Sequence, residues 1–299
     1  MRYFAYLLIA FSTTTALAAE RTLDRTFTVK PGGTLTVSAD SADISVIGGD
    51  GTQVSVHMVA EGSSQGDLDE MTFAAAPSDA GVSVEMRRPE RHMGWFDWGR
   101  NIEGHIEVDV PRSYRVELKT SGGGIRIASV AGPSRLKTSG GGLNAKDVRG
   151  TLDGSTSGGS IRLESIDGEV QVRTSGGSVY ASGVRGNIDA SSSGGDVRLL
   201  QIDGKINART SGGGVQCELV GSNRGIWAST SGGSIRVTVP RDITGTLDAR
   251  TSGGGARADL PMSTTRVSDH EISGLINGGG EPIVIRTSGG GITLSAAKP

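Results

Sequence analysis

The sequence predicts an all-β protein: a single-stranded right-handed β-solenoid (β-helix) with coils of 18 residues and an irregular N-terminal strand cap. Three observations predict it. Thr-Ser-Gly-Gly occurs eight times and Ser-Ser-Gly-Gly once, with serines at Ser121, Ser139, Ser157, Ser175, Ser193, Ser211, Ser231, Ser252 and Ser288. The first six are 18 apart and the later gaps are 20, 21 and 36, the last being twice 18; a fixed period marks a repeat architecture. Each repeat holds two short runs that alternate apolar and polar residues, and residues 18 apart form apolar columns.

The repeat from Thr156 to Arg173 shows the pattern. Its runs are Ser160–Glu164 and Glu169–Arg173, with period-two alternation. Ile161, Leu163, Val170 and Val172 face inward, and Ile166 takes the corner. Gly168 and the Gly158-Gly159 pair are expected to supply turns at positive φ. Down the stack the Ile161 column reads Ile125, Leu143, Ile161, Val179, Val197, Val215 and Ile235. The Leu163 column reads Ile127, Ala145, Leu163, Ala181, Leu199, Cys217 and Val237. A coil buries its inner face only against its neighbours, so such columns must be apolar.

The outward columns agree. Before the corner glycine come Arg149, Asp167, Arg185 and Asp203, which predicts opposite charges stacked as ion pairs. A second column, Lys137, Ser155, Arg173, Ser191 and Arg209, carries positive charge in alternate coils. A propeller blade needs about 40–45 residues, and an outer-membrane barrel needs strands of about ten residues with aromatic girdles. Here the runs are short and aromatics are 4% of the chain.

Taken in order, residues 1–18 read as a secretory signal peptide: Arg2, the apolar Tyr3–Phe11 and the A-x-A site Ala16-Leu17-Ala18. The chain is therefore expected to be exported, in the periplasm or at the cell surface, with no transmembrane segment in its mature form. Residues 19–118 form the N-terminal β cap, with strands at Thr26–Lys30, Thr34–Ala39, Asp43–Ile47 and Gln53–Val59 and a polar loop at Gly62–Glu70. Residues 119–299 carry the repeats, continuous with the cap. Ile106-Glu-Val-Asp-Val-Pro-Arg112 is echoed by Ile235-Arg-Val-Thr-Val-Pro-Arg241, which places the cap in the same sheet.

Formal charge is −2, leaving no electrostatic footprint for nucleic acid. The single cysteine, Cys217, excludes an internal disulfide and falls in an inward column. The histidines His57, His92, His105 and His270 lack metal spacing; His92 and His105 flank one loop with Glu90, Asp97 and Glu103, read as solvated side chains. Asp196 follows a glycine pair only once, which disfavours a calcium repeat. Gly140-x-Gly142-x-x-Ala145 opens a strand and not a helix, so it is no dinucleotide site. No cofactor, metal or catalytic residue is expected. The threonine column Thr120, Thr138, Thr156, Thr174 and Thr210 is read as a structural hydroxyl ladder, against an ice-binding face.

One segment stands apart. Glu90–Arg100 gathers Trp95, Phe96 and Trp98 among Arg87, Arg88, Arg91 and Arg100. Aromatics with arginines compose binding hot spots. The readings are a plug folded back on the solenoid, a contact with an envelope protein or glycan, and a membrane contact. Binding is assigned to Trp95, Phe96, Trp98, Arg91 and Arg100.

A signal peptide, an irregular strand region, a V-x-V-P element and T-S-G-G-x-I-x-[LV] repeats together resemble the bacterial putative-adhesin family, a β-strand-repeat domain of unknown function related to adhesin head domains. The resemblance covers about residues 23–296 and implies a β-solenoid of the envelope. It brings no catalytic residues. The function expected is a non-catalytic adhesin-like or scaffold protein. The alternative is a polysaccharide-acting β-helix lyase or glycosidase, for which Asp167, Asp203 and their arginines would have to converge in one cleft.

Overall fold

Leu163 is paired in register with Ala145 on one side and Ala181 on the other, and all three are buried. The 18-residue period thus means direct stacking. The computed structural model describes residues 19–88 and 102–297. Among these the chain is all-β apart from one short helix. The strands make two long sheets, of 13 and 14 strands. Through the regular middle each coil gives one strand to each sheet, as Ile161–Asp167 to the first and Val170–Thr174 to the second. Neighbouring coils pair in parallel there. One continuous hydrophobic core fills the space between the sheets.

Glycine in the Thr-Ser-Gly-Gly turn has a different reason from the one expected. Among the described residues none of these turn glycines has a positive φ. Instead, a Cβ on Gly159 would overlap the carbonyl of Gly141, and one on Gly177 that of Gly159. The turns of successive coils stack backbone on backbone, and only a residue without a side chain fits between them. The corner glycine does need its freedom: Gly150, Gly168 and Gly186 have φ of 115°, 153° and 140°. Just ahead of the corner runs a left-handed column that the sequence did not announce. Ser129, Asp147, Ser165, Gly183 and Gln201 have φ of 58°, 52°, 57°, 70° and 55°, a conformation unfavourable for all but glycine.

The expected loop at Gly62–Glu70 contains instead a short helix, Gln65–Asp69, which buries Leu68 against the core. A single inward apolar residue is too little periodicity to read from sequence.

At both ends the coils leave sequence order. The first coil, Thr34–Ala39 and Ala42–Gly49, lies between the coil of Gly81–Arg87 and Glu103–Pro111 and the coil of Arg115–Lys119 and Ile125–Ala128. The last coil, Pro282–Thr287 and Ile292–Ala296, lies between Ile226–Thr230 with Ile235–Val239 and Gly245–Thr251 with Ala256–Asp259. The chain therefore steps over a rung that a terminal segment fills. The step falls at the two echoed elements, Val110-Pro111-Arg112 and Val239-Pro240-Arg241. In each, the proline carbonyl accepts from an N–H three residues on, Tyr114 at 2.9 Å and Ile243 at 3.3 Å. The filling coil is tied to the step: Arg112 N–H donates to the Gly49 carbonyl, and Ala297 N–H to the Val239 carbonyl, both at 2.8 Å.

Candidate functional site

The threonine column is structural. Thr156 Oγ1 donates to the Gly141 carbonyl at 2.8 Å and accepts from the Gly159 N–H at 3.2 Å. Thr138, Thr174, Thr230, Thr251 and Thr287 repeat both bonds, and Ser192 does so with a serine hydroxyl. The hydroxyls are buried and doubly committed, so no threonine face is presented to solvent.

The charge column stacks in the expected register, with Arg149 beside Asp167, Asp167 beside Arg185, and Arg185 beside Asp203. Ion pairs do not follow. Among the described residues no salt bridge joins Asp167 to either arginine, while Asp203 lies 3.7 Å from Arg224. The side chains are mostly exposed, and holding a long arginine in one geometry gains little in water. With Asp147, these residues line one shallow groove at the corner. Asp167 and Asp203 sit two strands apart, separated by Arg185.

The outer face of the second sheet holds a second groove, lined by Asp153, Gln171, Asp189, Lys205 and Asn207. Each of Asp153, Gln171, Asp189 and Asn207 is stacked on the next. Next in the row is Trp227, in register with Asn207 and followed by Val284. Lys205 Nζ stands 4.5 Å from the centre of the Trp227 ring, a cation–π contact. Gly225, at φ 101°, passes under the ring edge, where a Cβ would collide. Asn207 donates to Asp189 at 2.9 Å, and its own Oδ1 is buried without a partner. A polar row leading to a half-buried indole can hydrogen-bond and stack on an extended polar ligand. The sequence reading missed Trp227; its signal was a tryptophan in an outward column that otherwise runs Glu117, Arg135, Asp153, Gln171, Asp189 and Asn207.

The predicted binding residues Trp95, Phe96, Trp98, Arg91 and Arg100 lie outside the described residues, as do residues 1–18, His92 and Glu90. The base of that segment is described. Arg88 N–H donates to Asp40 Oδ2 at 2.9 Å, and its guanidinium donates to the Ile102 carbonyl at 2.8 Å. The insertion Leu260–Glu281 forms an antiparallel pair, Met262–Val267 and Glu271–Ile276, at the C-terminal end of the second sheet. It buries Ile272 and Ile276 and exposes Val267 and Leu275. His105 lies on the strand Glu103–Pro111. Among the described residues no group of three or more His, Cys, Asp or Glu is placed to hold a metal. Cys217 is fully buried, and desolvation pushes its thiol up to about 12, which makes it inert at neutral pH.

A stack of two-strand coils with Thr-Ser-Gly-Gly turns, spanning nearly the whole chain, matches one family description, Toastrack DUF4097, over residues 33–295. The chain belongs to the Toastrack DUF4097 family. No curated protein matches it. Among solved structures it is similar to a putative adhesin from Parabacteroides merdae, at 11% identity over 93% of this chain and 97% of that one, with a TM-score of 0.47. A putative lipid binding protein from Parabacteroides distasonis matches at 11% identity over the same shares, with a TM-score of 0.39. A putative adhesin from Bacteroides fragilis matches at 12% identity over 93% and 97%, with a TM-score of 0.31. Among the described residues no helix of this Toastrack chain is long and apolar enough to cross a membrane.

Proposed function

We propose that this Toastrack chain is an exported, non-catalytic, adhesin-like binding or scaffold protein of the bacterial cell envelope. The observation that carries this reading is the even spread of its chemistry. Candidate carboxylates are spread along open faces, as Asp167 and Asp203 are, two coils apart on either side of Arg185. Polysaccharide hydrolysis needs two carboxyls facing each other across one bond, and a strand-by-strand row does not supply that pairing. Export is supported by the charged, apolar and A-x-A sequence of residues 1–18. Right-handed coiling is supported by the general preference of parallel strand connections; an experimental structure tracing left-handed coils would overturn it.

Two contact surfaces are proposed separately, the Trp95–Trp98 segment and the Asp153–Trp227 row. The described residues at the segment's base are held by Arg88, bonded to Asp40 and to the Ile102 carbonyl. The decisive test is co-sedimentation with isolated envelopes. The Trp95→Ala/Trp98→Ala and Trp227→Ala variants should bind less while melting at the wild-type temperature. A melting temperature lowered on the scale of an emptied aromatic core site would make the Trp95 segment a plug. The alternative, a polysaccharide-acting enzyme, rests on the corner groove of Asp147, Arg149, Asp167, Arg185 and Asp203. Release of reducing ends from a polysaccharide panel, abolished in Asp167→Asn/Asp203→Asn, would establish it.

A further inference from the structure

The outer face of the first sheet carries a row that exists only in space. Its central column runs Arg126, Asn144, Arg162, Tyr180, Arg198, Gln216, Arg236, Thr293, Arg257. From Arg126 to Arg257 an arginine occupies every second strand with no acid among the nine positions; beyond Arg126 the column passes through Ser45 to Glu107. All five arginines are exposed, and the four residues between them are half-buried. In chain order Arg236 and Arg257 would be neighbours; the inserted last coil puts Thr293 between them. The alternation is thus kept through the one place where it would fail.

The spacing follows from the sheet. Two strand separations are about 9.6 Å, and the row is about 38 Å long. Arg162 is engaged, by Glu164 at 2.9 Å and by the Tyr180 ring at 4.7 Å. Arg198 lies 4.0 Å from Asp196. The side chains of Arg126, Arg236 and Arg257 make no hydrogen bond or ion pair among the described residues. Beside the row runs a column of mostly small residues: Gly124, Gly142, Ser160, Ser178, Asp196 and Gly214. The surface is grooved along it at both ends. A cation every second strand next to a small-residue furrow fits a linear chain with widely spaced negative charges.

We infer that the arginine row of the first sheet binds a linear acidic polysaccharide, one carrying about one carboxylate per disaccharide, laid along the coil axis. A nucleic acid fits less well. Its charges are spaced by about 3.4 Å per strand, and single strands are held by aromatic platforms, of which this column has only Tyr180. The site is separate from the Trp227 row, which lies on the other sheet.

The test uses the full mature chain and hyaluronan oligosaccharides of increasing length, which carry one carboxylate per disaccharide. Dextran serves as the neutral probe and oligo(dT) as the nucleic-acid probe. Binding measured by calorimetry should grow tighter until the oligosaccharide spans the row, and weaken with salt. The triple variant Arg126→Gln/Arg236→Gln/Arg257→Gln should lose at least about tenfold in affinity, each exposed charge-assisted contact contributing. Its melting temperature should stay unchanged, and the triple lysine variant should retain most of the affinity. Trp227→Ala should bind hyaluronan as wild type does, so failure of the proposed function and failure of this site read differently. No hyaluronan binding, equal binding by the glutamine variant, or tighter binding of oligo(dT) would each overturn the inference.

Discussion

The middle of the stack and its two ends are built from the same coil but by different rules. From Arg115 to Thr230 each coil lies on the one before it in the chain. At the ends the chain steps over a rung at Val-Pro-Arg and a terminal segment fills it. In the middle, successive coils pair residues only 17 to 20 apart in sequence. At the ends the contacts reach much further, as when Thr287 Oγ1 donates to the Gly233 carbonyl, 54 residues back. The difference teaches how an open stack is closed. A last coil laid simply on the end would be the one most easily peeled off. Placed one rung inside, its strands are paired on both sides. The exposed edges pass to other strands, among them Ala19–Thr28, with Arg21, Asp24 and Arg25, and the bulged Met262–Val267. Charge and bulges are common ways to blunt an edge.

The largest expected effect breaks this comparison directly. Truncation after Glu281 removes Ile283, Ile285, Ile292 and Leu294, all fully or almost fully buried. The loss should be on the order of 6–12 kcal/mol from apolar burial alone, with the end coil orphaned. Deleting residues 157–174, a whole middle coil, should leave a cooperatively melting protein, since each remaining coil finds an equivalent neighbour. Circular dichroism melts of the two deletions decide this. Equal damage would mean that the ends are not specially locked.

Next come the turns. Gly159→Ala should destabilise by about 3 kcal/mol or more, because the clash is with backbone that cannot rearrange. Gly158→Ala should cost less, since its Cβ would stand 3.3 Å from the Gly140 carbonyl. Urea titrations that ranked them the other way round would refute the stacked-turn account.

Cys217 marks the last regular coil and gives a pH test. Its folded thiol is raised to about 12 by desolvation, against about 8.5 in an unfolded chain. A raised folded pKa means that its stability contribution is complete below the unfolded value and is lost as pH climbs toward the folded one. Relative to Cys217→Ala, wild type should lose on the order of 2 kcal/mol between pH 7 and pH 10. A flat difference would place the thiol in contact with solvent.

Thr156→Val should cost about 1–2 kcal/mol, leaving the Gly159 N–H and the Gly141 carbonyl short of a partner. The smallest effect has the opposite sign. Ser165→Gly should raise stability by less than about 1 kcal/mol by relieving a left-handed backbone at φ 57°. Its neighbour in the column is already Gly183. A clear loss of stability would show that the serine contributes more than its conformation costs.

The sequence by itself determined which residues face inward, because period-two alternation and an 18-residue period leave only one register that buries Leu163, Ile161 and their columns. It determined that the threonine hydroxyls would bond backbone, and that Cys217 would be buried. Spacing along the chain says who lies on whom only while coils follow one another. The 36-residue interval between Ser252 and Ser288 recorded that something was inserted, and the repeated Val-Pro-Arg marked where, but neither says that the last coil lies inside its predecessor. The left-handed column at Ser129 to Gln201 carries no common residue type, so no motif betrays it. Glycine in Thr-Ser-Gly-Gly was legible, but not its reason, since crowding comes from the coil below and not from local φ. The even spacing of Arg126 through Arg257 was decided by tertiary structure alone. Side-chain type is a property of the chain, while spacing across a sheet is a property of strand order, and here the two orders part company at the ends.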